Sequence, residues 1–123
     1  MVEFTTDGAG GIISITADRL DDVIIPAKIN GEKIISLHSD KSQCLSGLRS
    51  CKSFASKTCK PLIIDEFSLY GMVASKEIDL SNVNLSNLDL NAKIKIKCRE
   101  LFLPDIVKLG NTFLDLNLKR FVV

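Results

Sequence analysis

The chain has 123 residues, of which 46% are apolar and 25% charged, with no Trp, one Tyr and a formal net charge of +1. That length and balance fit one packed domain spanning 1–123 and exclude intrinsic disorder, and no apolar run nears the roughly 20 residues that cross a bilayer as a helix. The small net charge conceals alternating blocks: residues 1–40 sum to −4, 41–60 to +5, 61–92 to −4 and 93–123 to +4.

The first eleven residues, MVEFTTDGAGG, read as a flexible glycine-rich lead. They lack the basic and apolar regions of a signal peptide, so a cytoplasmic protein is expected, with Cys44, Cys51, Cys59 and Cys98 reduced. GIISITADRL then alternates Ile13, Ile15 and Ala17 against Ser14, Thr16 and Asp18, the pattern of a strand with one buried face. In VIIPAKINGEKIISL two apolar runs flank Asn30-Gly31, the strongest two-residue hairpin signal because a type I′ turn needs positive φ at both positions. Pro26 marks the first run as an edge strand or a bulge.

From Asp40 the spacing changes. Cys44, Leu45, Leu48, Cys51 and Ala55 fall on one arc at the 3.6-residue period, which predicts an amphipathic helix near residues 41–56, with Asp40 and Gln43 as a capping box. Gly47 inside it costs about 1 kcal/mol relative to Ala, so this helix depends on docking. PLIIDEFSLYG reads as a further strand.

The segment from Ile78 fits neither regular period. Ile78, Leu80, Val83, Leu85, Leu88 and Leu90 are separated by two, three, two, three and two residues, which scatters them around a helix and changes their face twice on a straight strand. A period of five aligns IDLSN, VNLSN and LDLNA. This resembles the pentapeptide-repeat proteins, and the resemblance implies sides of a right-handed β-helix with each central Leu, and the residue two before it, pointing inward. A leucine-rich strand with one or two bulges gives the same spacing. On either reading Leu80, Leu85 and Leu90 are expected to be buried together, whereas one unbroken strand exposes Leu85. AKIKIKCREL then alternates strictly, Ile94, Ile96 and Cys98 against Lys93, Lys95, Lys97 and Arg99. It echoes the strand at Ile13 at an offset of 81, and IISL at 34–37 echoes FLDL at 113–116 at an offset of 79, which raises the idea of an internal duplication.

Chemistry-bearing motifs are sparse. His38 is the sole histidine, and nothing in the sequence designates a partner for it. The cysteines lack the short Cys-x-x-Cys hooks of structural zinc, and Cys44 and Cys51 lie on the apolar stripe. LIIDE resembles the end of a Walker B strand, but the chain has no GxxxxGK[ST] to hold a phosphate, so neither cofactor nor metal is expected. The strongest functional signal is basic: Lys93, Lys95, Lys97 and Arg99 along one strand face, with Arg49 and Lys52 among the 41–60 cations.

The expected fold is therefore a β-rich α+β domain, with stacked or partly solenoidal strands and one helix near residues 41–56. The expected function is a non-enzymatic protein–protein interaction module, a small binding, inhibitor or assembly protein presenting a β surface and able to self-associate through edge strands. A nucleic-acid accessory protein using the basic strand face is the alternative, although aromatic residues for base stacking are nearly absent there. A small enzyme without a recognisable motif is the third reading.

Overall fold

A computed structural model describes residues 2–38, 45–64, 70–86, 93–104, 113–117 and 120–122, with Tyr70, Lys93, Ile94 and everything from 113 onward described by backbone alone. Strand dominates. The elements are β1 (Glu3–Thr6), β2 (Gly11–Thr16), β3 (Asp22–Ile25), β4 (Lys28–Ile29), β5 (Glu32–Lys33), β6 (Ser36–Leu37), β7 (Cys51–Ser56), β8 (Leu62–Ile64) and β9 (Tyr70–Asp79). They continue as β10 (Val83–Asn84), β11 (Lys93–Lys97), β12 (Glu100–Phe102), β13 (Phe113–Asn117) and β14 (Arg120–Val122). No helix among the described residues is long and apolar enough to cross a membrane.

Short parallel strands stack in three ladders: β2, β6, β8 and β10; β3, β7, β9, β12 and β14; and β9, β11 and β13. The long strand β9 belongs to two of them, turning a corner in between. The result is a β-solenoid of about three turns. Along the second ladder Asp22 lies beside Ser53, Ser53 beside Glu77, Glu77 beside Glu100 and Glu100 beside Arg120, so the chain returns to the same side after 31, 24, 23 and 20 residues. The next row along these strands, Val23, Phe54, Ile78 and Leu101, is fully buried and forms part of the core. Stacking like on like across rungs is what lets β-branched and leucine side chains fill this interior almost without aromatics.

The corners explain the irregular spacing of the sequence. Asp79 accepts hydrogen bonds at Oδ1 from the Ser81 backbone N–H (2.9 Å) and hydroxyl (2.6 Å). Five residues on, Asn84 accepts the same pair from Ser86 at 2.9 and 2.5 Å. Each Asx turn bends the chain at the end of a strand, first β9 and then the two-residue β10, so Ile78, Leu80, Val83 and Leu85 are all buried despite their changing parity. Leu80 and Leu85 thus behave as expected, while Leu90 lies outside the described residues. Asn82 ties this coil to the one before it, its side-chain N–H donating to the carbonyls of Ser56 (3.2 Å) and Thr58 (3.0 Å).

The same corners overturn the helix expected near residues 41–56. Residues 41–44 lie outside the described set, Ser46–Leu48 form a single 3-10 turn, and Cys51–Ser56 are strand β7, paired on both edges by β3 and β9. Leu45, Leu48, Cys51 and Phe54 are buried at steps of three because the chain turns between short extended pieces, which imitates helical spacing. Serines at 50, 53 and 56 also weaken any helix there.

Two further expectations change. The glycine-rich start, expected as a flexible lead, carries β1, which covers the free edge of β2 in antiparallel register. In that pairing Thr5 faces Ser14 and Thr6 faces Ile12, so Ile13 is an extra bulged residue, and Ile12 rather than Ile13 joins Ile15 in the core. The echoes at offsets of 81 and 79 join strands of different ladders, β2 with β11 and β6 with β13, and so do not mark equivalent rungs of a duplication. The hairpin at Asn30-Gly31 forms as read, with φ of 50° and 83° between β4 and β5. Pro26 directly follows β3, which is the outermost strand of its ladder.

Candidate interaction surface

The outward residues of a solenoid stack as regularly as the inward ones. Ser53, Glu77 and Glu100 are register partners, so the residues just before them, Lys52, Lys76 and Arg99, put one cation on each successive rung, the rungs being about 4.8 Å apart. All three are exposed, and the Arg99 backbone N–H donates to the Lys76 carbonyl at 3.1 Å. At this corner β9 spends two residues, Ser75 and Lys76, both exposed, against the single Lys52 of β7.

On β11 the alternation holds where side chains are described: Ile96 and Cys98 are buried, Lys95, Lys97 and Arg99 exposed. Lys95 and Lys97 stand about 7 Å apart along the strand. Arg49, half-buried after the 3-10 turn, lies with its Cδ 3.8 Å from where a Cβ on Gly71 would stand. Gly71 is the extra residue of a bulge in β9, at φ +88°, directly after Tyr70, the register partner of Lys95. Lys95 and Lys97 therefore stand on the third ladder, Lys52 and Arg99 where the chain enters the second, and Arg49 beside Gly71 of β9; Lys93 is placed on β11 by its backbone.

Lys76 was not singled out in the sequence. The signal was present as the spacing of 24 and 23 residues between Lys52, Lys76 and Arg99, legible only once the rung length is known. Beside these cations runs an acidic column: Glu77 and Glu100, half-buried, and beyond Ser53 the exposed Asp22, whose Oδ1 accepts a 2.5 Å hydrogen bond from the Ser53 hydroxyl.

His38 acquires partners that the sequence did not designate. Its Nε2 lies 3.7 Å from Asp7 Oδ2 and 3.4 Å from Ser36 Oγ. This is a Ser-His-Asp set without the relay of a hydrolase, because both partners converge on one nitrogen, whereas a triad places the carboxylate and the hydroxyl on opposite nitrogens. The Asp7 carboxylate is instead a turn cap. It accepts the backbone N–H groups of Ala9 (2.7 Å) and Gly11 (3.0 Å), which hold its carboxyl below the usual range. Among the described residues no group of three or more His, Cys, Asp or Glu could hold a metal ion, and the Asp65-Glu66 pair lies outside them.

No family model, curated protein or solved structure matches this chain.

Cys51 and Cys98 belong to the core, Cys59 is exposed, and Cys44 lies outside the described residues. Burial pushes the Cys51 thiol up to about 11, and its Sγ donates to the Val73 carbonyl at 3.6 Å; burial also raises Cys98. Thiolate is the reactive form, so at pH 8 about one Cys51 in a thousand is ionised, and that one is covered. Alkylation of the native protein with iodoacetamide at pH 8 is expected to modify the exposed Cys59 within minutes and to leave Cys51 and Cys98 intact until urea unfolds the chain. Peptide mass mapping reads the order, and native labelling of Cys51 would contradict its burial.

Proposed function

We propose that this chain is a non-enzymatic interaction module that presents the charged side of its solenoid to a protein partner. The supporting observation is the pair of adjacent columns, Lys52, Lys76 and Arg99 beside Glu77 and Glu100, held at rung spacing by one rigid ladder. A polyanion such as nucleic acid is attracted to the first column and repelled by the second; a protein surface carrying both signs complements both. Among the described residues Lys52, Lys76, Lys95 and Lys97 form no ion pair, so these four stand ready for an external acidic group.

Within the same reading, residues 78–92 are of the pentapeptide-repeat type. The Asx turns at Asp79 and Asn84, five residues apart with the same hydrogen bonds, support that reading.

The test is the combined reversal Lys76→Glu, Lys95→Glu and Lys97→Glu. All three positions are exposed, so the circular dichroism spectrum and melting midpoint should stay within error of the parent. Affinity capture should lose a stoichiometric protein partner, with binding weakened at least tenfold, since exposed pairs contribute roughly 0.2–1 kcal/mol each and reversal adds repulsion to the loss. Binding of duplex DNA or RNA at low salt, abolished by the same variant, would replace this reading with a nucleic-acid accessory role.

A further inference from the structure

The two ladders that begin at the N-terminal end of the solenoid are finished differently. On one, β1 lies antiparallel on β2 and covers its edge; on the other, β3 pairs only with β7 among the described residues. The parity of β3 fixes which of its backbone groups are used. The Asp21 carbonyl accepts from the Lys52 N–H at 2.8 Å and the Ile25 carbonyl from the Lys57 N–H at 2.8 Å, so residues 21, 23 and 25 address β7. In an extended strand the N–H and C=O of one residue point the same way and those of the next point oppositely, so Asp22 and Ile24 direct theirs away from β7. Among the described residues no backbone group meets them.

Apolar surface lies beside this edge. Leu20 is 74% exposed and Ile24 47%, the two most exposed large hydrophobic residues described, with Ile35 equal to the latter. The charge around it is net negative: Asp18, Asp21 and Asp22 against Arg19 in the same turn and the N-terminal amino group. The Asp18 backbone N–H, and then that amino group, hold the Asp21 carboxyl below its usual range. Native edge strands are normally blunted by lysine, proline, a bulge or a covering element. On β3 itself none of the four residues is Lys or Pro, and Pro26 comes after the last of them.

We propose that the outer edge of β3 is a strand-addition site for an extended, basic segment of a partner protein, with alternating Lys or Arg and apolar residues. Its backbone completes the hydrogen bonds of Asp22 and Ile24; the alternation puts its cations on the outward face, where their charges meet Asp22 and their alkyl stems cover Ile24, and its apolar side chains on the inward face, the side of Val23 and Ile25. The same carboxylate disfavours a second copy docking edge to edge, because two β3 strands in register bring like charges together. This site is separate from the basic columns and stands whether or not they bind a partner.

The probe is an acetylated eight-residue peptide alternating Lys and Val, with a Glu-Val counterpart, titrated into the full chain while the amide resonances are followed by NMR. The Lys-Val peptide should shift the Asp22 and Ile24 amides saturably and the Glu-Val peptide should not. Ile24→Pro deletes the outward N–H at a position where an edge strand tolerates proline, and should weaken binding at least tenfold. Should that variant fail to fold, Ile24→Lys keeps the backbone intact, removes the apolar contact, adds repulsion, and should weaken binding by a similar factor. Four results would overturn the proposal: no shift at Asp22 or Ile24 at millimolar peptide; equal binding of the Glu-Val peptide; protection of these amides from exchange in the free monomer; or a concentration-dependent dimer that Ile24→Lys dissolves.

Discussion

Phe54→Ala is expected to cost about 3–5 kcal/mol, a large fraction of the roughly 5–15 kcal/mol that holds a domain of this size folded. Phe54 is 0% exposed on β7, and its register partners Val23 on β3 and Ile78 on β9 are equally buried. Removing the ring leaves a cavity between two strands whose separation is set by backbone hydrogen bonds, so the rungs cannot close around it. A urea titration should show the midpoint falling by about 1–3 M with little change in slope. Phe102 supplies the contrast. It follows buried Leu101 on β12, lies half-exposed, and Phe102→Ala should cost about 1 kcal/mol. Equal losses at the two sites would mean that Phe102 carries packing its exposure does not reveal.

The alternation of β11 and the Asn30-Gly31 turn were legible in the sequence because each signal is local: parity within one strand, and positive φ at two adjacent residues. Local spacing failed between Leu45 and Phe54, where short extended pieces and tight corners put inward residues three apart, the interval that a helix also uses. What separates the two is lateral pairing with Asp22–Ile25 and with β9, contacts 23 to 31 residues away that no window of local sequence contains. Ile13 fails for a related reason: the bulge that turns it out of the core is created by Thr5 and Thr6 on the neighbouring strand.

The candidate surfaces divide the same way. The cations of β11 lie on one strand, so their common face could be read directly. Lys76 joins Lys52 and Arg99 only through the register of three rungs, and His38 meets Asp7 only because β6 stacks on β2 and brings residue 38 beneath the turn that follows β1. The edge of β3 away from β7, which no described strand pairs, is a property of what does not pair with it. Sequence marks that strand as peripheral through Pro26, but it cannot say which ladder end lacks a cover.

Gly8 and Gly10 offer a sharper test of how the N-terminal end is closed, since they have similar positive φ in different surroundings. Their φ values are +83° and +92°, so alanine strains either site by about 1–2 kcal/mol. At Gly8 nothing lies within 4 Å of the added Cβ, and the cost of Gly8→Ala should stop there. At Gly10 the Cβ would stand 2.7 Å from the Lys33 carbonyl oxygen and 2.9 Å from Ile35 Cγ1. The glycine cannot retreat easily: its N–H donates to Glu32 Oε2 at 2.6 Å, and its carbonyl accepts the N–H groups of Ile35 (2.8 Å) and Ser36 (3.2 Å). Overpacking adds about 1–3 kcal/mol, so Gly10→Ala should cost about 2–5 kcal/mol in total. Hydrogen exchange supplies the structural readout. Faster exchange at the Ile35 and Ser36 amides in Gly10→Ala, but not in Gly8→Ala, is the expected result, because those two bonds dock the β1–β2 turn onto the segment leading into β6. Equal costs with unchanged exchange would mean that the β5–β6 backbone yields to the new methyl group, and that the cap is held by the Asp7 and Glu32 carboxylates alone.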